Sequence, residues 1–316
     1  MNFPPASGVL AAIGGTPLIE LASLREPGRA RVVAKLEGQN PTGSLKDRMA
    51  LAVVDRAAAS GRLSPGGRLV EYTGGSTGTS LAFVCAARGF DSTMVTSDAF
   101  SAEKRDHMRA LGADVIEIPS EGGRITRELI RAMMARAKEL SAASGAFYAD
   151  QFENRDATAG YEPLGEEIRA QCGGRVHAFV HAVGTAHSLV GCARALRRHH
   201  PAIRVVAVEP AESPVLSGGE PGGHQIEGIG AGFVPPMWSE TAADAIETVS
   251  SADAMAMSRR LAREEGLFVG TSSGANVVAA LREAERLGPD DTVATLLCDS
   301  GLKYLTTELF RGGDAD

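Results

Sequence analysis

The lysine at position 46 is the residue whose type and placement point most directly to chemistry. It follows a turn-rich run, Gln39-Asn40-Pro41-Thr42-Gly43-Ser44-Leu45, and stands at the start of a predicted helix. A lysine amine forms an imine with an aldehyde only when it is held out of water and partly deprotonated. The N-terminal end of a helix dipole disfavours the ammonium form. The position therefore favours an imine-forming lysine, although Ser44 and Asp47 also fit a capping box that would leave Lys46 solvated.

Three glycine-rich loops follow apolar segments and precede predicted helices. They lie at 73–78, 183–188 and 270–274. Glycine lets the backbone approach a ligand closely, and the exposed amides of a helix N-terminus bind anions. In open α/β sheets such loops gather at the carboxyl ends of the strands, where ligands bind. The loops predict a ligand site, with capped βα turns as the alternative interpretation.

The loop at 183–188 is the one best suited to a phosphate group. It offers consecutive backbone N–H groups and the hydroxyls of Thr185 and Ser188, without a lysine or arginine. Hydrogen bonds and the helix dipole would then meet the charge of the anion. His187 is a further candidate donor, although we expect it to be a partly exposed residue of the first helical turn. The loop at 73–78 has no ionisable side chain, and its amides and hydroxyls suit a carboxylate.

Two of these loops also match an unrelated pattern. Residues 74–78 and 270–274 both fit G-x-S-x-G, the turn that carries the nucleophile of serine hydrolases. No HGGG-type loop precedes residue 74, so a serine hydrolase is kept only as a distant alternative. The seven histidines show no helical metal-binding spacing with carboxylate support, and we expect no metal.

The composition is that of a globular enzyme with small substrates. The 316 residues suffice for two domains, 44% are hydrophobic, and the formal net charge is −7. A negative protein repels phosphodiester backbones, so we expect no nucleic-acid partner. The chain shows no signal peptide and no apolar run near the about 18–20 residues that span a bilayer, so we expect a cytoplasmic protein without a membrane partner. The four cysteines form no C-x-x-C pair and are expected to be small buried side chains in a reducing compartment.

Short β-branched runs alternate with longer helical patterns along the chain. Strands are predicted at 31–37, 68–72, 91–96, 114–118, 177–183, 205–208 and 292–297. Helices are predicted at 46–59, 77–88, 102–111, 124–143, 159–171, 188–199, 252–265 and 274–287. This alternation, with nearly all-apolar strands, predicts an α/β fold whose parallel sheets are covered by helices on both faces.

The alternation is interrupted once, by a stretch rich in glycine and proline at 210–236. A long irregular segment within a compact enzyme is more often a functional loop than slack chain. We expect a smaller unit at 41–150 and a larger unit formed by 1–40 together with 151–316.

Several short motifs, in this order and spacing, resemble the cysteine synthase (O-acetylserine sulfhydrylase) and cystathionine β-synthase family of fold-type-II pyridoxal-phosphate enzymes. The likeness covers almost the whole chain. The motifs are IGGTPL at 13–18, NPTGSLKDR at 40–48, VEP at 208–210, HQIEGIGAGF at 224–233, EEG at 264–266, SSG at 272–274 and DSG at 299–301. The resemblance implies a tryptophan-synthase-β-like fold of two three-layer αβα domains with mostly parallel twisted sheets. In it the smaller domain is mobile and carries the substrate loop, and the larger domain binds the cofactor phosphate.

The resemblance also implies a role for each candidate residue. Lys46 would be the Schiff-base lysine, and Ser272 would face the pyridine nitrogen of pyridoxal 5'-phosphate. The phosphate of the cofactor would be bound by Gly184, Thr185, Ala186, His187 and Ser188. The substrate carboxylate would be bound by Thr73, Gly74, Ser76, Thr77 and Gln151, and Ser76 would also lie near the ring hydroxyl of the cofactor.

Two positions depart from the family pattern. The family usually has asparagine at the position of Ser76, and its phosphate loop usually reads G-T-G-G-T where this chain has Ala186 and His187. These two side chains narrow the freedom of the loop, although we expect ordinary helical-start angles at both. The departures leave the backbone donors in place and bear more on the substrate than on the cofactor.

The activity that the resemblance implies is β-replacement by a homodimeric transferase of cysteine biosynthesis. L-cysteine would form from O-acetylserine, or another O-activated serine, and sulfide through an α-aminoacrylate. A neutral hydroxyl at Ser272 would leave the pyridine nitrogen largely unprotonated, which disfavours transamination. Two alternatives stay open, namely β-elimination (cysteine desulfhydrase or serine/threonine dehydratase) and a synthase that uses an amine or another thiol.

Overall fold

A computed structural model describes residues 8–123 and 125–311. The strands are β1 (Leu18–Glu20), β2 (Arg31–Leu36), β3 (Arg68–Tyr72), β4 (Asp91–Ser97), β5 (Asp114–Ile118), β6 (Phe147–Tyr148), β7 (Ala178–Ala182), β8 (Arg204–Pro210), β9 (Ala245–Val249) and β10 (Thr292–Leu297). The α-helices are α1 (Lys46–Ala59), α2 (Ser76–Arg88), α3 (Ala102–Ala110), α4 (Arg127–Ser144), α5 (Asp156–Gln171), α6 (His187–His199), α7 (Ser251–Glu264), α8 (Thr271–Ala284) and α9 (Glu308–Arg311).

The chain divides into two compact units. Within the described residues, the first unit takes 8–15 with Gln39–Gly160, and the second takes Thr16–Gly38 with 161–311. The division expected from the sequence, at 41 and 150, differs by the short segments 8–15, 39–40 and 151–160, which belong to the first unit. The segment after residue 150 stays with this unit because Gln151 donates its backbone N–H to Glu71 of β3 at 3.0 Å.

The first unit is built on a four-stranded sheet in the order β5-β4-β3-β6. All three of its strand pairs are parallel. Helices α2 and α4 pack against its central strands, and α1 packs against α2. Residues 69–72 of β3 are buried, as expected for a strand covered on both faces.

The second unit is built on a six-stranded sheet in the order β1-β2-β10-β7-β8-β9. Its strands are parallel except for β1, which is antiparallel to β2. Every residue of β7 and β10 is buried. Helix α8 packs against β7 and β10 and closes the apolar core of this unit with α7. The α/β class with mostly parallel sheets is therefore confirmed.

The sequence does not predict three of these strands. Strands β1 and β6 have three and two residues, too few for a periodic pattern, and β9 is only partly buried. The helix predicted at 124–143 begins at Arg127, because the hydroxyl of Thr126 accepts the N–H of Leu129 and caps it. Residue Arg124 lies outside the described residues.

The irregular stretch expected at 210–236 is longer than predicted. Residues 211–244 connect the parallel strands β8 and β9 without a helix or strand of their own. The four cysteines are buried, as expected, at positions Cys85, Cys172, Cys192 and Cys298. No helix in the described part of the chain combines the length and apolar character that crossing a membrane requires.

Candidate active site

Lys46 is the first residue of α1 and is half-buried. The turn before it is fixed by Asp47, whose carboxylate accepts the N–H of Thr42 at 2.8 Å and its hydroxyl at 2.5 Å. Both Asp47 and Thr42 are buried. The helix therefore presents Lys46 from a turn that is held internally by a buried carboxylate.

The prediction that Ser44 and Asp47 form a capping box is wrong. Leu45 occupies the N-cap position with helical dihedral angles and makes no side-chain cap. The hydroxyl of Ser44 accepts the N–H of Lys46 at 3.2 Å, and Asp47 turns to Thr42 instead. The motif S-x-x-D is present, but its carboxylate stabilises the turn rather than the helix end.

The loop at 73–78 is organised around the hydroxyl of Thr73. This oxygen accepts the N–H groups of Gly75 and Gly78, both at 2.9 Å. Gly75 has φ +138°, and a Cβ there would overlap the side chain of Lys104. Only glycine satisfies both constraints. The N–H groups of Gly75 and Gly78 therefore donate within the loop, and those of Ser76 and Thr77 belong to the first turn of α2.

Two residues predicted to bind a substrate carboxylate are in direct contact. The hydroxyl of Thr77 donates to Oε1 of Gln151 at 2.9 Å, and Nε2 of Gln151 donates to the carbonyl of Tyr72 at 2.9 Å. The backbone N–H of Gln151 is held by Glu71. Burial raises the pKa of the Glu71 carboxyl well above its usual range, against the lowering effect of the N–H groups of Gln151 and Tyr72.

The turn of Lys46 and the loop at 73–78 belong to one unit and are linked through α2. The hydroxyls of Thr42 and Ser80 lie 3.3 Å apart. Gly74 packs against the ring of Phe100, where a Cβ would lie 2.8 Å from Cε1. The first unit therefore brings together Lys46's turn, the loop at 73–78 and Gln151.

The loop at 183–188 lies in the second unit, between β7 and α6. Gly184 approaches the backbone of Gly228 so closely that a Cβ would overlap its carbonyl oxygen. Gly184 and Thr185 are half-buried, and the remaining loop residues through Ser188 are buried. The loop ends at the N-terminus of α6, a position whose amides and dipole favour an anion.

Two expectations about this loop are wrong. Ala186 adopts φ 68° and ψ −15°, in the left-handed region, rather than ordinary helical-start angles. His187 has no exposed surface, whereas we expected a partly exposed residue. Both differences have one cause, since the chain must reverse between β7 and α6 within a few residues. The reversal buries His187 at the start of α6 and requires a left-handed conformation at Ala186.

We expect Ala186→Gly to raise the free energy of unfolding by about 0.5–1 kcal/mol. A left-handed conformation costs an L-residue about 1–2 kcal/mol, and the greater freedom of glycine in the unfolded chain offsets about 0.4–1 kcal/mol of the relief. Urea denaturation of the two proteins measures the difference. The matched control is Ala193→Gly, in the regular part of α6, which should be destabilised by about 1 kcal/mol. Equal losses in both variants would contradict the strain at Ala186.

The loop at 270–274 also begins a helix in the second unit. The hydroxyl of Thr271 accepts the N–H of Glu227 at 3.0 Å, and that of Ser273 accepts the N–H of Cys298 at 2.9 Å. Ser272 lies between them in the first turn of α8 and is 5% exposed. The two neighbouring hydroxyls accept hydrogen bonds from the backbone. Ser272 is therefore the residue of this loop that we consider as a candidate for binding a ligand.

The sequence reasoning missed two polar residues that support these loops, Glu71 and His181. Both lie at buried strand positions, within two residues of a glycine-rich loop. A titratable side chain at a fully buried strand position is the signal that identifies them. His181 contacts Ser188 of the loop at 183–188, with 2.7 Å between Nε2 and Oγ.

Comparison with known proteins assigns the family. Residues 9–299 match the family model described as pyridoxal-phosphate dependent enzyme. Cysteine synthase from Staphylococcus aureus is 41% identical over 316 residues, which cover 99% of this chain and 100% of that protein. The chain belongs to the family of pyridoxal-phosphate dependent enzymes.

Solved structures of similar proteins agree with this assignment. The structure of cysteine synthase from Entamoeba histolytica superposes with a TM-score of 0.92 at 33% identity, covering 100% of this chain and 95% of that one. That of an O-acetylserine dependent cystathionine beta-synthase from Helicobacter pylori gives a TM-score of 0.90 at 37% identity, covering 98% and 100%. The fold-type-II architecture, the enzymatic nature of the chain and the use of pyridoxal phosphate are thereby confirmed, and the serine hydrolase is set aside.

The residues of the loops fit this cofactor. The glycine at 184 leaves space beside the backbone of Gly228 that any side chain would fill. Ser188 places a hydroxyl at the N-terminus of α6, which suits a phosphate group. Lys46, at the start of α1, is the type of residue that bonds to an aldehyde.

Proposed function

We propose that the chain forms L-cysteine from O-acetylserine, or another O-activated serine, and sulfide by β-replacement. The proposal is supported by full-length similarity to a cysteine synthase. It is also supported by the turn that holds Lys46, which is linked through α2 to the loop at 73–78. A synthase using another thiol is the second candidate, because a relative of similar identity is an O-acetylserine dependent cystathionine beta-synthase.

We propose that Lys46 would hold the cofactor at its aldehyde carbon and that its amine would move the Cα proton of the substrate. Bound pyridoxal phosphate supplies an electron sink for bond cleavage at Cα. A lysine that acts as a base needs a pKa drawn below the about 10.4 of a free side chain. The start of α1 would favour the neutral amine, because the helix dipole disfavours a cation there.

The loop at 183–188 would hold the cofactor phosphate. Its donors are backbone amides and the hydroxyls of Thr185 and Ser188, at the N-terminus of α6. Ala186 and His187 would contribute through their amides, since the Cβ of Ala186 offers no hydrogen bond and the ring of His187 is buried. Ser272 would face the pyridine nitrogen with a neutral hydroxyl, which leaves that nitrogen largely unprotonated.

The substrate carboxylate would be bound by the loop at 73–78 and Gln151. The amides of Ser76 and Thr77 open α2 and point as helix N-terminal donors do. Gly74 lets the carboxylate approach the backbone, and Thr73 holds the loop in shape through its two accepted hydrogen bonds. Ser76 would also lie near the ring hydroxyl of the cofactor.

We expect Thr77→Val to raise KM for the amino-acid substrate about tenfold, with a smaller effect on kcat. The change removes the hydroxyl that fixes Oε1 of Gln151. A hydrogen bond between neutral groups is worth about 0.5–1.5 kcal/mol, and the upper end of that range corresponds to about a tenfold change in affinity. Steady-state kinetics at saturating sulfide measures it. The control is Thr93→Val, which deletes a hydroxyl that accepts from Arg68 in the same unit and should leave KM unchanged. Equal KM values for the two variants would contradict a role for Thr77 in binding the substrate.

The reaction itself is tested by supplying O-acetylserine with sulfide, with a larger thiol, or with neither. L-cysteine as the main product with sulfide supports the proposal. Faster formation of a thioether with the thiol would favour the second candidate. Pyruvate and ammonia formed at the same rate with and without sulfide would mean that the enzyme eliminates rather than replaces.

We further propose that the enzyme works as a homodimer in the cytoplasm. Phe268, Leu302 and Leu305 are exposed apolar side chains, and Phe268 packs beside Gly301, next to Leu302. Such a group of apolar side chains is suited to burial against a second copy. Light scattering of the purified protein tests the dimer, and a monomer at working concentration would contradict it.

A further inference from the structure

Strand β7 places an imidazole behind the loop at 183–188. His181 is 2% exposed, in a strand whose other residues are alanine, phenylalanine and valine. Its Nε2 lies 2.7 Å from Oγ of Ser188, and its Nδ1 lies 3.2 Å from Nδ2 of Asn276. Asn276 is itself fully buried, in α8. The three side chains form a buried series that ends at the last residue of the loop.

The contacts of Asn276 determine its orientation. One side-chain atom lies 2.7 Å from the N–H of Ala182 and must be the oxygen, because it accepts. The other lies 2.7 Å from the carbonyl of Leu296 and must be the nitrogen, because it donates. The same nitrogen lies 3.4 Å from Sγ of Cys298, a weak acceptor. The group that faces His181 is therefore an NH₂ group.

This orientation decides which nitrogen of His181 carries the proton. A proton on Nδ1 would set a donor against the NH₂ group of Asn276, so Nδ1 is the acceptor. The neutral ring then carries its hydrogen on Nε2, which donates to Oγ of Ser188. The hydroxyl of Ser188 cannot return its own hydrogen to the ring and must direct it away from His181.

We propose that His181 is a positioning residue that makes the Ser188 hydroxyl a committed donor to the phosphate of the cofactor. The inference rests on the proposed phosphate site at 183–188. That loop has no lysine or arginine, so its affinity for a phosphate group depends on each hydroxyl that donates a hydrogen bond. Without the ring, the hydroxyl of Ser188 rotates, and part of the time it offers a lone pair instead of a hydrogen.

The protonation of His181 is measured directly by two-bond proton–nitrogen correlation NMR on the full-length protein, with and without pyridoxal phosphate. The signal is assigned by its loss in His181→Phe. We expect the Nε2–H form in both samples. A proton on Nδ1 would overturn the proposal, and this measurement does not depend on catalytic activity.

The coupling is measured by a double-mutant cycle on the dissociation constant of pyridoxal phosphate, by equilibrium dialysis. We expect Ser188→Ala to weaken binding about tenfold or more, and His181→Phe about three- to tenfold. In the Ser188→Ala background, His181→Phe should have no further effect, because the hydroxyl that it orients is gone. The conservative variant His181→Gln, whose amide can donate to Oγ, should bind within about twofold of wild type.

The outcomes of the cycle are distinguishable. If His181→Phe weakens binding equally with and without the Ser188 hydroxyl, the ring only fills space and the positioning role is overturned, while the proposed function stands. If the wild-type protein does not bind pyridoxal phosphate, the proposed function fails and the role of His181 fails with it.

Discussion

Lys46→Ala should lower kcat/KM for L-cysteine formation by at least about 10³-fold while leaving the fold intact. The change removes the amine proposed both to bond to the cofactor and to move the Cα proton, and general acid–base catalysis alone contributes about 10²–10⁴-fold. Lys46 is the first residue of α1 and its neighbours Thr42 and Asp47 hold the turn, so the helix should form without it. Coupled assays of cysteine release, with circular dichroism for the fold, measure both effects.

The matched control is Lys46→Arg, which keeps the positive charge and the length of the side chain. A guanidinium stays protonated and does not form the covalent bond, so this variant should be as inactive as Lys46→Ala. Borohydride reduction followed by peptide mapping should place the cofactor label on Lys46 in the wild type and on neither variant. Activity of Lys46→Arg above about a tenth of wild type, or a label on another lysine, would remove Lys46 from its proposed role.

Asp47→Ala should lower the free energy of unfolding by about 2–4 kcal/mol and reduce activity at least about tenfold. The change removes the carboxylate that accepts the N–H and the hydroxyl of Thr42, although the hydroxyl still has Ser80 at 3.3 Å. The unsatisfied buried N–H costs about 1–3 kcal/mol, and the lost hydroxyl hydrogen bond costs about 1 kcal/mol. The loss of activity follows because the turn that presents Lys46 is no longer held. Urea denaturation and steady-state kinetics measure the two losses.

Thr42→Val is the control for this prediction. It removes the hydroxyl hydrogen bond but keeps the N–H that Asp47 accepts, so it should cost about half as much stability as Asp47→Ala. If Asp47→Ala is as stable as the wild type, or if it loses stability without losing activity, the carboxylate does not position Lys46.

The sequence was sufficient to predict the strand–helix alternation and the positions of the three loops. Parallel strands buried on both faces are nearly all apolar, and β7 and β10 have that composition. Strands β1 and β6 could not be predicted in the same way, since two or three residues carry no period and their pairing depends on the neighbouring strand. Long helices and strands have a recognisable pattern in the sequence, whereas the shortest strands form through pairing with a neighbouring strand.

The chemistry of the loops was less predictable than their positions. The sequence identifies Lys46 and the loop at 183–188, but it does not show that Ala186 must adopt a left-handed conformation. That angle is imposed by the connection between β7 and α6, which is a tertiary constraint. Likewise, Asp47 has the spacing of a helix cap, and only the folded turn shows that its carboxylate faces Thr42. Local patterns point to candidate residues, and the fold determines the contacts that each of them makes.

The burial of all four cysteines has a consequence for an enzyme that would handle sulfide and a thiol product. Nucleophilic attack and exchange require the thiolate, and burial raises the pKa of Cys85 to about 12 and also raises that of Cys172. At neutral pH those two side chains therefore stay protonated, out of reach of polysulfides and oxidised thiols. These two thiols would therefore not compete with sulfide as nucleophiles in the proposed reaction.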